Sequence, residues 1–483
     1  MQKLTRLVKR IEMKLGRAVS LSKKTKSFKP IERLIIFLTS IFIVLVSSHQ
    51  NIINSEIIFI DLLKISLETF LYCSALIIVS KKENSMISFN QVILLLSFLL
   101  LAQVIKTNFE VNPIAIIVPP SLIISQGLGT LTSLTWVAVS AINWPDSSAF
   151  NNNDLFLITI ISAIIVAIIG GKVRNRAQLL QLAIFVSLGV FIVESILISD
   201  KSPLIGLENS LPIDKIYSHS VAVLVSLLIT NLVMPIFESV FGLLTKARLL
   251  ELADQENPIL RRLSIEAPGT YEHTLLICGL AEEATRMIRG DVDLIKTGGL
   301  YHDIGKLHAP NWFIENQTEG TNPHEELDDP IKSCQILQKH VDEGLKIAKK
   351  NRLPKPIADF IPEHQGTLKM GYFLSKAREK GQNIEENQFR YKGPIPQSKE
   401  TAILMLADGC EAALRAMDIN ATDKEAYQTI SRIISSREKD GQLSESYLSK
   451  AEIFLIKKSF LKVWKRIRHR RIQYPTSKNN TFS

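Results

Sequence analysis

An abrupt change of composition near Gly242 constrains this chain more than any other feature. Before it, long apolar runs dominate; after it, charged residues are frequent and apolar ones recur at helical spacing. The averages over 483 residues, 46% hydrophobic with a net charge of +10, conceal that division. A membrane-embedded half followed by a water-soluble half is the expectation. Cys73, Cys278, Cys334 and Cys410 show no paired spacing, which argues against a disulfide framework.

The apolar runs give candidate spans at about 34–48, 57–80, 91–105, 113–125, 128–142, 155–170, 179–198 and 221–243. Several are near or below the short end of the roughly 17 to 25 residues needed to cross. The stretch from Pro113 to Ile142 carries Pro119-Pro120 and Gly127-Leu128-Gly129, so it reads either as a tight hairpin of two short spans or as a re-entrant segment. Charge decides the parity. The segment 1–32 is strongly basic, and Lys81-Lys82, the loop from Lys172 to Arg176 and Lys246-Ala247-Arg248 are the other positive clusters. Placing all of them inside requires eight crossings, or six plus a re-entrant hairpin, and puts both the N-terminus and the second half in the cytoplasm. A basic segment this long before an uncleaved first span also argues against a secretory signal peptide. Asp61, Lys64 and Glu68 fall on one helical face of the second span. An interfacial Asp61 and Lys64 with Glu68 paired inside the bundle is preferred to a sensing stripe.

The second half reads as all-α, with strand-like alternation scarce and Gly and Pro clusters separating periodic blocks. His302-Asp303, within GLYHDIGKLHAP, sets an imidazole beside a carboxylate. His273 in PGTYEHT lies upstream; His340 in LQKHVDEG, His364 in IPEHQGT and Asp408 in LMLADGCEAALR lie downstream. Imidazole nitrogen and carboxylate oxygen suit Mn, Fe, Zn or Ni, and a carboxylate can bridge two such ions where a neutral imidazole cannot. The pattern outlines a binuclear metal site.

The strings LLELADQENPILRRLSIEAPGTYEHT, GLYHDIGKLHAPNWFIENQ, NPHEELDDPIKS, HVDEGLKIAKKNRLP, FIPEHQGT, LADGCEAALRAM, DGQLSESYLS and RHRRIQYP occur in that order. In them the half from about Leu243 to Pro475 resembles the HD-domain phosphodiesterases that end a seven-transmembrane receptor-like region, whose characterised members hydrolyse cyclic di-AMP. The resemblance implies a polytopic membrane region (33–243), a linker helix (244–269), an all-α HD domain (270–474) and a disordered tail (475–483). It implies that His273, His302, Asp303 and Asp408 hold one ion, with Asp303 bridging to a second on His340 and His364. Mn or Fe are the expected ions, and cyclic di-AMP, cut to pApA, the expected substrate. The chain departs from the family twice. Only about His49 to Glu56 separates the first span from the next, where relatives carry a large extracytoplasmic domain. His364-Gln365 stands where relatives often have two consecutive histidines, leaving Gln365 an open candidate as a weaker oxygen ligand.

Lys306 is open between neutralising a substrate phosphate and solvent exposure, and Arg415 between a phosphate or adenine contact and pairing with Glu411. His324 is assigned no metal and is open between support and substrate contact. The resemblance places the protein in the cell membrane of a bacterium, with the bilayer and cyclic di-AMP as partners, no nucleic-acid polymer, and a homodimer left open. Hydrolysis of cyclic di-GMP or guanosine tetraphosphate is the runner-up, and a nucleotide-binding membrane receptor with little turnover is the alternative of a different class.

Overall fold

The computed structural model describes residues 89–108, 112–143, 153–201, 213–317, 322–381, 385–418 and 420–469. The first two candidate spans, the basic 1–32 segment, Asp61, Lys64, Glu68 and the 475–483 tail lie outside the described residues. The chain divides into two compact units, Met1–Leu243 and Leu244–Ser483. Among the described residues there is no strand, only an isolated antiparallel bridge between Lys369 and Arg390.

The first unit contains α1 (Phe89–Asn108), α2 (Pro113–Leu128), α3 (Thr130–Asn143), α4 (Asn153–Gly170), α5 (Arg176–Lys201) and α6 (Ile213–Phe241). The Pro113–Ile142 stretch is two helices that meet at Gly129. At 1.5 Å per residue, α2 with 16 residues and α3 with 14 are each shorter than a hydrocarbon core of about 30 Å. α2 is nearly all buried and packs against α3, α4 and α6. Its Pro119 and Pro120 lie next to a turn tied by side chains: the Trp136 indole and the Ser121 hydroxyl both donate to the Ile117 carbonyl, at 3.2 and 2.7 Å.

Of the described helices, α5 and α6 contain stretches long and apolar enough to cross a membrane, Arg176–Leu197 and Tyr217–Phe241. Their outer faces carry Phe185, Leu188, Ile192, Ile196, Ile229, Leu232 and Ile236, all exposed, with Leu232 79% accessible. An apolar face of that size turned outward is costly in water and natural in lipid. The ionisable residues turn inward instead: Glu194 pairs with His219 at 2.5 Å, and Glu238 with Arg176 at 3.3 Å.

The second unit begins with α7 (Lys246–Leu252) and α8 (Pro258–Glu266). The expected linker helix is thus two helices. Asn257 caps the second by accepting from the Ile259 amide, and Pro258 opens it. Both are part of the domain, burying Leu249, Leu252, Leu260 and Leu263 with Leu300, Tyr301 and Ile304. α9 (Pro268–Met287), α10 (Val292–Tyr301), α11 (Pro330–Lys350), α12 (Gly371–Glu379), α13 (Lys399–Arg415), α14 (Asp423–Lys439) and α15 (Lys450–His469) complete the unit. Ile277, Leu280, Ala281 and Ala284 on α9 repeat at three and four residues and bury against Leu406, Cys410 and Leu414 of α13 and Ile456, Phe460 and Val463 of α15. The basic terminal helix is therefore part of the core on one face, while Lys462 and Lys465 on the other pair with Glu283 and Asp423.

Candidate metal centre

Helices α9, α11 and α13, the end of α10 and a short helix before His364 bring the candidate ligands together. His273 lies within α9, His340 within α11 and Asp408 within α13. His302 and Asp303 lie just past α10 rather than inside it: His302 is the C-cap and Asp303 leads into a 3-10 turn at Ile304–His308. His364 closes the short helix Phe360–Glu363. Gly305 is what lets the turn come so close to α11. A Cβ there would stand 1.7 Å from the His340 carbonyl oxygen, so any side chain would separate Asp303 from His340.

Three imidazoles are oriented by the backbone in one way. The Nδ1 of His302 donates to the Gly299 carbonyl at 2.7 Å, that of His340 to Leu337 at 2.6 Å and that of His364 to Phe360 at 3.1 Å. Their Nε2 atoms then face one carboxylate: His302 lies 3.2 Å from Asp303 Oδ2, His340 3.6 Å and His364 3.5 Å from Asp303 Oδ1. All three Nε2 atoms and Asp303 Oδ1 are buried without a hydrogen-bond partner. Burial pushes the His340 imidazole down to about 3, so its Nε2 presents a lone pair at neutral pH. Burial alone would raise Asp303, but Lys306 and His302 hold its carboxyl well below the usual range.

Buried imidazole nitrogens without hydrogen-bond partners that face a carboxylate oxygen are suited to a cation between them. Separations of 3.2 to 3.6 Å match neighbouring ligands of one ion whose bonds are about 2.0 to 2.2 Å. Two donor triads share His302: His273, His302 and Asp408, and His302, Asp303 and His364. The triads overlap at one imidazole, which cannot bridge, and the residues present fit a divalent metal ion. His273 is the exception in orientation, since its Nδ1 meets the Glu411 carboxylate at 2.7 Å while Nε2 lies 3.2 Å from Asp408. Burial works to lower the His273 pKa, yet these two acids raise it to about 9. A carboxylate behind a ligating imidazole fixes its orientation and strengthens it as a ligand.

Neither expected cation is free. Lys306 is buried in ion pairs with Asp303 at 2.8 Å and Glu315 at 2.6 Å, so it is not solvent-facing and holds the carboxylate that the imidazoles face. Arg415 is paired with Glu411, Nε at 2.8 Å, with its own side chain 48% exposed. His324 joins neither triad; its Nε2 donates to the Trp312 carbonyl at 2.9 Å and its ring rests against Trp312 and Phe373. Gln365 is half-buried in the turn after His364, beside Gly366 at φ +52°.

Some contributors were not picked out in the sequence. Glu411 as the partner of His273 had a readable signal, three residues after Asp408 and so on the same helical face. Glu315 had none, because it reaches Lys306 through a non-periodic loop. Gln442 is fully buried and holds the His364–Thr367 turn from behind: its Oε1 accepts from the Thr367 amide at 3.0 Å and its Nε2 donates to the Thr367 hydroxyl at 2.8 Å.

A helical bundle that gathers a His-Asp pair with three further histidines and an aspartate around one buried point defines an HD-domain protein. The chain matches the family described as "7TM receptor with intracellular HD hydrolase" over residues 59–245 and the HD domain over residues 270–413. The chain belongs to that family and is a membrane protein. The cyclic-di-AMP phosphodiesterase PgpH of Bacillus subtilis is 34% identical over 84% of this chain and 59% of its own length. PgpH of Listeria monocytogenes is 40% identical over 51% of this chain and 34% of that protein. The uncharacterized protein slr0104 of Synechocystis is 47% identical over 50% of this chain and 30% of that protein. The chain thus spans between 30% and 59% of the length of these relatives. Crystal structures of the L. monocytogenes PgpH HD domain, alone and with cyclic-di-AMP, are 37% identical, cover 44% of this chain and 100% and 99% of theirs, and superpose with TM-scores of 0.42 and 0.43.

Proposed function

We propose that this protein is a membrane-anchored, metal-dependent phosphodiesterase that hydrolyses cyclic di-AMP to pApA. The observation that carries the reading is the convergence of three unpartnered imidazole nitrogens on Asp303. The substrate is proposed on the names of the two PgpH relatives. Under this reading His273, His302, Asp303 and Asp408 hold one ion, and Asp303, His340 and His364 the second, with Mn or Fe favoured by the nitrogen and carboxylate donors. Two such ions, when bound, would polarise a phosphodiester and acidify an attacking water.

The chain's own residues do the rest. Lys306 keeps Asp303 ionised, Glu411 orients His273, and the Gly299, Leu337 and Phe360 carbonyls fix the imidazole tautomers. No protein nucleophile is required. Cys278, Cys334 and Cys410 are buried free thiols, and burial pushes Cys278 up to about 12, so it does not supply a thiolate. The proposal extends to a cytoplasmic N-terminus and HD domain, as the positive-inside pattern requires, to cyclic di-AMP rather than a nucleic-acid polymer as partner, and leaves the homodimer open. The test is turnover of cyclic di-AMP, cyclic di-GMP and guanosine tetraphosphate by the full chain in detergent with added Mn. Preference for cyclic di-AMP is expected. Preference for either guanine compound would overturn the substrate, and metal-loaded protein that binds cyclic di-AMP without turnover would establish a receptor instead.

A further inference from the structure

With Lys306 and Arg415 both closed on carboxylates, the two cations first considered for a substrate phosphate are already committed. Arg437, in the last turn of α14, differs: among the described residues its guanidinium has no hydrogen bond or ion pair, and its Nε is buried. An unpaired guanidinium with a buried nitrogen is costly to desolvate, and burial lowers its pKa from the ordinary arginine value. Its surroundings are given by the following contacts. A Cβ on Gly409, the residue after Asp408, would stand 3.4 Å from Arg437 Nη2, so the missing side chain leaves room for the guanidinium against α13. One turn earlier on the same face, Met405 Cε would lie 2.8 Å from a Cβ on Gly366. The Gln442 amide donates to the Arg437 carbonyl at 3.0 Å, while its side chain holds Thr367. Arg437 therefore packs against α13 at Gly409, next in the chain to Asp408, whose charge acts on the guanidinium and whose side chain is 22% exposed.

We propose that Arg437 is a substrate-binding residue whose guanidinium takes a phosphate oxygen of the nucleotide at the open edge of the metal centre. A planar guanidinium offers paired donors that suit phosphate, and a partner anion would supply the missing hydrogen bonds. The inference rests on the phosphodiesterase reading for the identity of the ligand, while the anion site itself rests on Arg437.

The experiment uses the full chain in detergent, loaded with Mn, as wild type, Arg437→Gln and Arg437→Lys. Binding of inorganic phosphate, KM and kcat for cyclic di-AMP, and Mn content are measured on each. Arg437→Gln is expected to weaken phosphate binding and raise KM by about tenfold or more, the size of a lost charge-assisted hydrogen bond. Mn content is expected to stay unchanged and kcat to move less than KM, with Arg437→Lys in between because it restores charge without the planar fork. If phosphate affinity and KM in Arg437→Gln stay within about twofold of wild type, on the same scale, the proposal is overturned. Loss of Mn in both variants would overturn it too, by showing that Arg437 supports the metal centre. Loss of phosphate binding in Arg437→Gln, in a protein that never turns over cyclic di-AMP, would uphold the anion site and remove the substrate reading.

Discussion

Buried polar atoms are handled differently in the two units. In the membrane unit they close locally or pairwise: Ser121 and Trp136 on the Ile117 carbonyl, Ser133 on Ser121, Ser125 on Ala167, and Glu194 with His219. The buried atoms left over there, such as Glu194 Oε2 and Asn231 Oδ1, are scattered. In the HD unit His302 Nε2, His340 Nε2, His364 Nε2 and Asp303 Oδ1 are left over at one place. The difference shows that convergence locates a ligand site better than the mere number of unpaired groups. A lone unpaired atom is a small penalty, whereas four facing one another form a donor set that suits a cation.

The sharpest test sets one group from each unit against the other. Asp303→Ala should lower hydrolysis by about three orders of magnitude or more, the scale seen when groups acting as a unit lose a member, and release bound metal while helical content by circular dichroism is retained. Ser121→Ala, by contrast, should cost under about 1 kcal/mol of stability and leave metal content unchanged. Equal metal content in both variants would erase the distinction between the units.

A second, smaller effect concerns pH in the chelated protein. His340, depressed to about 3 from 6.5, stabilises the fold when neutral; between those values unfolding takes up a proton, so stability falls as pH drops below about 6.5. His273, raised to about 9, behaves oppositely, and its contribution is present below about 6.5 and lost as pH rises through 9. The pair should give metal-free protein a stability maximum near pH 6.5, with His340→Ala flattening the acid limb and His273→Ala the alkaline one. Thermal unfolding across that range in chelator reads both limbs. A wild-type curve without a maximum would show that the site's charges do not shape stability.

The smallest expected change is at Gln365. Gln365→His should lower the Mn concentration for half-maximal activity by about tenfold, the scale of a strengthened ligand environment, while Gln365→Ala raises it modestly. No change in either would show that the side chain points away from the ions, leaving the comparison to rest on the four converging atoms alone.

The division at Gly242, the all-helical second half and the residues of the two triads were all legible in the sequence, because apolar periodicity and ligand chemistry are local properties of the chain. The break at Gly129 was legible as either a hairpin of two short spans or a re-entrant segment, and the structure forms two helices there; proline and glycine show where a helix weakens without fixing how its neighbours pack. Helicity of 244–269 was expected, yet its place inside the HD core was not, because Leu260 and Leu263 bury against side chains from distant segments. Only the tertiary structure decided that Lys306 belongs to Asp303 and Glu315, that Gln442 holds the His364 turn, and that Arg437 is left unpaired beside Asp408. These assignments join residues up to 75 positions apart, where charge and spacing in one sequence carry no register and only the packing of helices chooses which groups meet.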